Sequence, residues 1–446
     1  MQYSTPIKPV GVGGMLVNIA VVGLWHLGTV TAACLAAAGY TVIGFDENSD
    51  TISGLQQGRL PVFEPGLEDL ILRERANGRL HFSSDPKDLV QAETIWITYD
   101  TPVDENDVAD TQYVIDRLAA IFPYVGQETL VLISSQLPAG STRMLEAMYY
   151  SIRPEGRATF AYSPENLRLG RAIEAFTRPD RVVVGVDTTT TKERIALLLT
   201  PLTDRIEWMS IESAEMTKHA LNAFLATSVA FINELSRLCE QVGADAEEVT
   251  RGLKSDPRIG PRAYLRPGAA FAGGTLARDL SFLTDLGHAH KLPTHLLSGV
   301  RSSNDAHQHW PRHRLLEVLG TLHGKSIAVL GLTYKPGTDT LRRSSAIETC
   351  RWLKEQGAFV VAYDPAVRAL PIELTRFIEL RTSIQEALQG VAAVLVATEW
   401  PELKSIRPED LVVWMQQPIV LDPGRFLATE LSGETRIRYL AVGRAE

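Results

Sequence analysis

Cysteine is scarce in this chain: Cys34, Cys239 and Cys350 are the only three in 446 residues, far apart and without CxxC spacing. That excludes a disulfide framework and a thiolate metal site, and leaves three buried thiols, since each falls in an apolar helical pattern. The ten histidines form no HExxH arrangement. His288, His290 and His295 cluster loosely where solvated imidazoles at a helix end account for them, so no metal is expected. No run of about eighteen apolar residues is present to cross a bilayer. The first residues lack the charged, apolar and small-residue regions of a secretory leader, so a cytoplasmic location is expected. Basic charge is in deficit, with 44 Lys and Arg against 53 Asp and Glu and a formal net charge of −9. Nucleic acid and membrane therefore drop out as expected partners, whereas a phosphate-bearing small molecule, which needs only a few local cations, does not.

What is present is a globular composition, 45% apolar and 22% charged, at a length that suggests two or three domains. Residues 1–15, rich in Pro and Gly and without periodicity, read as a flexible lead-in. Asn18–Val22 is an apolar run ending in glycine, Leu27–Ala38 has helical spacing, and Thr41–Phe45 is β-branched and ends in Asp46, which makes a strand–helix–strand unit. Strand signals at Thr94–Tyr99, Leu130–Ser134 and Arg181–Val186 alternate with amphipathic stretches such as Thr111–Ile121 and Thr142–Tyr149. A long helical pattern runs from Ser213 to Val242, and strand patterns restart at Ser326–Leu330, Phe359–Tyr363, Ala392–Ala397 and Ile419–Leu421. The spacing predicts an α/β protein: two Rossmann-like doubly wound domains, 16–212 and 323–446, joined by a long central helix and a helical middle domain, 213–322.

The first turn is Gly23-Leu24-Trp25-His26-Leu27-Gly28. In a dinucleotide fingerprint the glycines let the backbone approach a pyrophosphate held on the first helical amides, and an acid after the second strand takes ribose hydroxyls. The first and third glycines are here, and Trp25 holds the middle place. Asp46, eighteen residues after Gly28, would accept ribose hydroxyls and repel a 2′-phosphate, so NAD is the expected cofactor. The competing reading is a Rossmann shell whose cofactor site has been lost through Trp25.

Lys218 and Asn222 lie four apart on the long helix and so share a face, where an ammonium and a carboxamide can hold a reacting oxygen. Thr275 and Asp279 repeat that spacing, and a helix starting at Thr275 would set its hydroxyl near the positive helix end. Taken singly, each pair is also compatible with a solvated helix face.

Further segments change that balance. They are Thr101-Pro102; Ser135-Gln136-Leu137-Pro138-Ala139-Gly140; Ser163-Pro164-Glu165-Asn166-Leu167-Arg168-Leu169-Gly170 with Pro179-Asp180-Arg181; and Asp256-Pro257-Arg258-Ile259-Gly260. Then come Pro267-Gly268-Ala269-Ala270-Phe271-Ala272-Gly273-Gly274-Thr275-Leu276-Ala277-Arg278-Asp279, the run from Gly331 to Arg342, and Asp422-Pro423-Gly424-Arg425. In this order, over residues 18–425, they resemble the UDP-glucose/GDP-mannose dehydrogenase family. The resemblance implies a cytoplasmic, NAD-dependent oxidoreductase of nucleotide sugars, with UDP-sugars favoured, in the setting of polysaccharide biosynthesis. It implies cofactor contacts from Gly23, Trp25, His26, Leu27, Gly28, Asp46, Thr101, Pro102, Ser135, Gln136 and Arg342. It implies substrate contacts from Glu165, Leu167, Lys218, Asn222, Tyr264, Gly273, Lys335 and Arg425, the last two on the diphosphate. Arg258 would reach the substrate of a neighbouring subunit, which implies a homodimer or a dimer of dimers. The catalytic group it implies is Lys218, Asn222, Asp279, Glu165 and the residue at 275.

Here the chain departs from the family pattern. Thr275 stands where the family has the cysteine that captures the aldehyde, and Ala277 and Arg278 replace a proline and a lysine, while Arg343 replaces an acidic residue. Three outcomes are open: an acid formed through an aldehyde hydrate, a halt at the aldehyde or another redox-neutral step, or a silent nucleotide-sugar-binding relative. A hydroxyacyl or 6-phosphogluconate type dehydrogenase shares the Rossmann-plus-helix plan, but has no need of the terminal α/β domain with Lys335 and Arg425.

Overall fold

Short, β-branched, fully buried runs separated by helices leave a parallel sheet as the way to satisfy every backbone group. The computed structural model describes residues 18–104, 108–165, 167–272, 274–342 and 344–444, so the lead-in, Asn166, Gly273 and Arg343 lie outside the described residues. The chain divides into two compact units, Met1–Ala220 and Leu221–Glu446.

The first unit holds an eight-stranded sheet made of β1 (Asn18–Val22), β2 (Thr41–Phe45), β3 (Leu80–Ser83), β4 (Thr94–Ile97), β5 (Leu130–Ile133), β6 (Thr159–Tyr162), β7 (Val182–Gly185) and β8 (Ile206–Met209). The order is β3-β2-β1-β4-β5-β6-β7-β8, parallel except where β6 meets β7. Helix α1 (His26–Ala37) covers one face through buried Val30, Ala33 and Cys34, α2 (Ser141–Ile152) follows β5, and the short α3 (Ala172–Thr177) lies beyond β6. Burial pushes the Cys34 thiol far up, so it stays an inert core group. The long helix α4 (Ile211–Val242) begins in this unit and continues into the second.

The second unit contains α5 (Ala246–Ser255), α6 (Thr275–Ala289) and α7 (His295–Gln308), then a six-stranded parallel sheet. Its strands are β9 (Ser326–Leu330), β10 (Phe359–Tyr363), β11 (Glu379–Leu380), β12 (Ala393–Val396), β13 (Ile419–Leu421) and β14 (Arg438–Leu440), in the order β11-β10-β9-β12-β13-β14. The two-Rossmann plan with a long helix between its halves is therefore correct. Strands β3, β6, β8, β11 and β14, two to four residues each, were not read from the sequence pattern.

The sheets repeat one corner. In the first, the Gly23 amide donates to the Phe45 carbonyl at 2.9 Å and the Leu24 amide to Asp46 at 2.8 Å. In the second, Gly331 donates to Tyr363 at 2.7 Å and Leu332 to Asp364 at 2.7 Å. Both glycines have positive φ, +93° and +89°, a conformation glycine adopts at no steric cost.

Glu215 on α4 ties that helix to the first sheet. It is 1% exposed and accepts from the Gly140 amide (2.6 Å), the Thr142 amide (2.9 Å) and the Thr142 hydroxyl (2.6 Å), so it caps α2 from outside. Glu215→Leu leaves three buried donors unpaired and is expected to destabilise the first unit by about 2–4 kcal/mol, against about 1 for Glu215→Gln. Urea midpoints followed by a probe in residues 18–220 check this; equal midpoints for the two variants contradict it.

Candidate active site

The first turn is built for close approach. A Cβ on Gly23 would meet the Tyr99 ring at 2.6 Å, and one on Gly28 would sit 1.9 Å from the Gly23 carbonyl oxygen, so neither position accepts a side chain. The N-cap of α1 is Trp25, which gives no side-chain hydrogen bond to the helix, so the first amides of α1 keep the partial positive charge that an anion can use. The Trp25 indole is 51% exposed rather than packed in the turn. Asp46 accepts from Leu24 (2.8 Å) and Asn48 (3.0 Å) and remains half-buried, with acceptor capacity on both oxygens. Burial pushes its carboxyl up against the pull of those two amides. At the end of β5 the Ser135 hydroxyl is buried with no protein partner, and the Thr101 hydroxyl donates to the Gln136 carbonyl at 2.7 Å. Pro102 is exposed.

An uncapped helix start, an acid with open lone pairs and an orphaned hydroxyl beside the next strands fit a dinucleotide. The second corner does not offer the same. Asp364, 3% exposed, takes the Leu332 and Thr333 amides, the Thr333 hydroxyl and the Trp400 indole N–H on one oxygen, which makes it a structural group.

Glu64, which the sequence pattern did not single out, joins the turn to the next loop through His26. His26 Nε2 lies 2.9 Å from Glu64, which is 2% exposed and also accepts the Gly170 and Ala172 amides, each at 2.8 Å. The signal was an acid inside the otherwise apolar and turn-forming run Val62-Phe63-Glu64-Pro65-Gly66. Through it the cofactor turn and the 163–170 loop share one buried carboxylate. That loop also carries Glu165, whose carbonyl (2.7 Å) and carboxylate (3.2 Å) both receive the Lys218 ammonium, while its other oxygen accepts the Leu167 amide at 2.9 Å. A small pocket opens between these parts, lined by Leu27, Trp96, Ser163, Glu165, Leu167 and Phe176 among others.

One helical turn beyond Lys218, Asn222 donates to the Asp279 carboxylate; the two side chains are 6% and 0% exposed. Thr275 is the first residue of α6 and is exposed; its N-cap Gly274, at φ +103°, supplies no side-chain cap. The preceding loop is held from α4 and α7 by Asn233, Asn304 and His307, none of which the spacing analysis had marked. Buried polar residues on amphipathic helices read as face-boundary residues until the tertiary partner is known. Arg258 is exposed and paired with Asp256 at 2.7 and 3.0 Å, and Tyr264 is 59% exposed. Gly273 lies outside the described residues.

In the last sheet Lys335 is half-buried and Arg342 exposed. Arg425, expected on the diphosphate, makes ion pairs within the second unit. Its side chain is 6% exposed, and Nη1 binds Asp245 (2.9 Å) and Glu247 (3.2 Å) at the start of α5 while Nε donates to the Val442 carbonyl. The reason is local: Asp245 caps α5, and although burial alone would raise its carboxyl, the Glu247 amide and the Arg425 guanidinium hold it below its ordinary range. Among the described residues no cluster of His, Cys, Asp and Glu is suited to a metal ion, and no helix is long and apolar enough to cross a membrane.

Comparison with known proteins matches three consecutive domain models: the UDP-glucose/GDP-mannose dehydrogenase family NAD binding domain over 17–203, central domain over 212–306 and UDP binding domain over 328–429. The chain is 34% identical over 430 residues to UDP-glucose 6-dehydrogenase YwqF of Bacillus subtilis (strain 168), covering 96% of this chain and 98% of that one. It is 32% identical over 437 residues to UDP-glucose 6-dehydrogenase of Rhizobium meliloti (strain 1021), with 96% and 100% covered. Its fold is similar to the solved UDP-glucose dehydrogenase of the hyperthermophilic archaeon Pyrobaculum islandicum, with a TM-score of 0.88, 29% identity and 98% and 100% of the two chains covered. NAD is accordingly the cofactor of the first domain, and the donors described above fit it.

His307 gives the second unit a pH dependence. It is 3% exposed, and burial holds its imidazole down at about 4 against an ordinary 6.5, although the Gly268 carbonyl favours the proton. Between those values the unfolded chain binds more protons than the folded one, so this contribution to stability is complete above pH 6.5 and lost as pH falls towards 4. From pH 7 to 5 the loss is roughly 2 kcal/mol. His307→Gln should flatten that slope in urea titrations at the two pH values, and an unchanged slope would contradict the assignment.

Proposed function

We propose that this chain, which belongs to the UDP-glucose/GDP-mannose dehydrogenase family of NAD-dependent nucleotide-sugar oxidoreductases, oxidises the C6 alcohol of a UDP-sugar of the UDP-glucose type and lacks covalent capture of the aldehyde. NAD, when bound, takes the hydride from C6. The observation that carries the reading is the Lys218–Glu165 pair of the first unit, a buried ammonium held against a carboxylate. The Lys218 ammonium, 6% exposed, stabilises negative charge on the C6 oxygen as its proton leaves, an interaction strengthened by low local dielectric. In the second unit Asn222 has its amide oriented by Asp279. Glu165, the least buried of the four, receives the proton directly or through a water.

The second oxidation is where Thr275 matters. A thiol is a few per cent thiolate near neutrality and leaves readily, whereas a threonine hydroxyl does neither. The aldehyde on this chain therefore reacts with water, oriented by Glu165, or departs. On the nucleotide side, Lys335 serves the diphosphate, with Arg425 already neutralised by Asp245 and Glu247.

We also infer a homodimer. Phe224 (67% exposed), Phe231 (51%) and Leu238 (60%) recur every seven residues along α4, an apolar stripe of the kind that partner surfaces cover. Phe224→Glu with Phe231→Glu is expected to give a monomer in analytical ultracentrifugation. A dimer that survives both changes would remove this surface from consideration.

Activity is tested with UDP-glucose and NAD by following NADH and trapping aldehyde with a hydrazine. Trapped aldehyde in the wild type, and faster acid formation by about 100-fold or more in Thr275→Cys, are expected. Absence of NADH with every UDP- and GDP-sugar offered would sink the reading. Trp25→Gly separates the cofactor question: since the indole is exposed, NAD affinity by calorimetry should change less than about threefold, and a larger gain would show that the ring obstructs the pyrophosphate.

A further inference from the structure

The loop that precedes Thr275 is held by its main chain. Asn233 on α4 accepts from the Gly268 amide at 3.0 Å and donates to the Ala269 carbonyl at 3.2 Å. Asn304 on α7 accepts from the Phe271 amide and donates to the Phe271 carbonyl, each at 2.9 Å, as a neighbouring strand would. His307, one turn further along α7, lies 2.8 Å from the Gly268 carbonyl. A carbonyl oxygen only accepts, so Nε2 carries the proton and Nδ1 is bare. All three side chains are 3% exposed or less, and each of the five bonds ends on a backbone atom.

We infer that Asn233, Asn304 and His307 are positioning residues that set the 267–272 loop, and through it Thr275 at the start of α6, independently of the loop's own side chains. Three alanines, at 269, 270 and 272, offer little packing that could fix the loop from within, and Phe271 alone packs against the cluster that includes Ala226 and Leu280. The helpers instead read peptide groups, which every loop sequence has. Two asparagines in bidentate contact with successive peptides define the path of the chain, because a carboxamide presents donor and acceptor in one plane. His307 adds a third point on the Gly268 carbonyl. Held in this way, the loop delivers residue 275 to an uncapped helix start whichever side chain stands there. The assignment gives these residues a role in the proposed oxidation and in that respect rests on it, but the positioning itself can be read without turnover.

The test uses Thr275→Cys in the full chain as a reporter thiol, since Cys34, Cys239 and Cys350 are all buried. Its alkylation by iodoacetamide is followed against pH, with hydrogen–deuterium exchange of the peptide spanning 267–272. In the otherwise unchanged chain the introduced thiol should titrate below the ordinary value of about 8.5, because it sits at an uncapped helix N-terminus. Adding His307→Leu or Asn304→Asp should move it back towards that value and speed exchange of the loop amides by about 100-fold, with exchange in β9 to β14 unchanged as proof of folding. His307→Gln keeps an N–H within reach and should restore both readings. If the leucine and aspartate variants leave thiol titration and loop exchange as they were, the positioning role is wrong. If both readings move and no sugar is oxidised by the wild type, the positioning stands and the functional reading falls. If the wild type does turn over, kcat for the first hydride should fall at least about 10-fold in His307→Leu with KM for NAD unchanged.

Discussion

Loops at the carboxyl ends of parallel strands have no ladder partners, and in this molecule buried acceptors take their amides instead. Glu64 binds the amides of Gly170 and Ala172, Glu215 those of Gly140 and Thr142, Asp364 those of Leu332 and Thr333, and Asp422 that of Leu427. A buried carboxylate is tolerated only where such donors surround it. A backbone amide left without one is costly as well. Each need meets the other, and the loops acquire fixed paths. Around the 267–272 loop the same task falls to carboxamides and a neutral imidazole, which can answer carbonyls as well as amides.

This accounts for the different fates of two corners with the same backbone. At the first, Asp46 takes two amides, one on each oxygen, and stays half-buried, so a ribose can still reach it. At the second, Asp364 gathers four donors on a single oxygen beneath Trp400. A repeated strand–helix–strand unit thus separates into a dinucleotide-binding corner and a structural one through the number of donors that surround one carboxylate.

The parts of the fold that were legible in the sequence are those with a period. The run Asn18–Val22, the helix over α1 and the β-branched Thr41–Phe45 announce their corner, and the long unbroken pattern to Val242 announces α4. Strand β6, Thr159–Tyr162, is too short to alternate, and its burial on a central position comes from its neighbours in the sheet. Lys218, Asn222 and Asp279, the polar residues of the proposed site, were marked by spacing and motif together. Glu64, and Asn233, Asn304 and His307, were not, because a polar residue on a helix or in a turn reveals its partner only once the chain has folded. Arg425 shows the opposite limit: its motif is visible, but the two carboxylates of α5 that bind it lie 180 and 178 residues away in sequence.

Chemically, the account turns on one atom at position 275. In the proposed reaction the Lys218–Glu165 pair serves removal of the first hydride, but the side chain at 275 is a poor nucleophile and a poor leaving group. The most direct measurement is a single-turnover experiment with enzyme and NAD in excess over UDP-glucose, counting NADH formed per sugar with time. The account predicts one equivalent in a first phase, followed by a second equivalent slower by about 100-fold or more, or by none. Two equivalents released in one phase would contradict it, since covalent capture would then have no need of a thiol at residue 275.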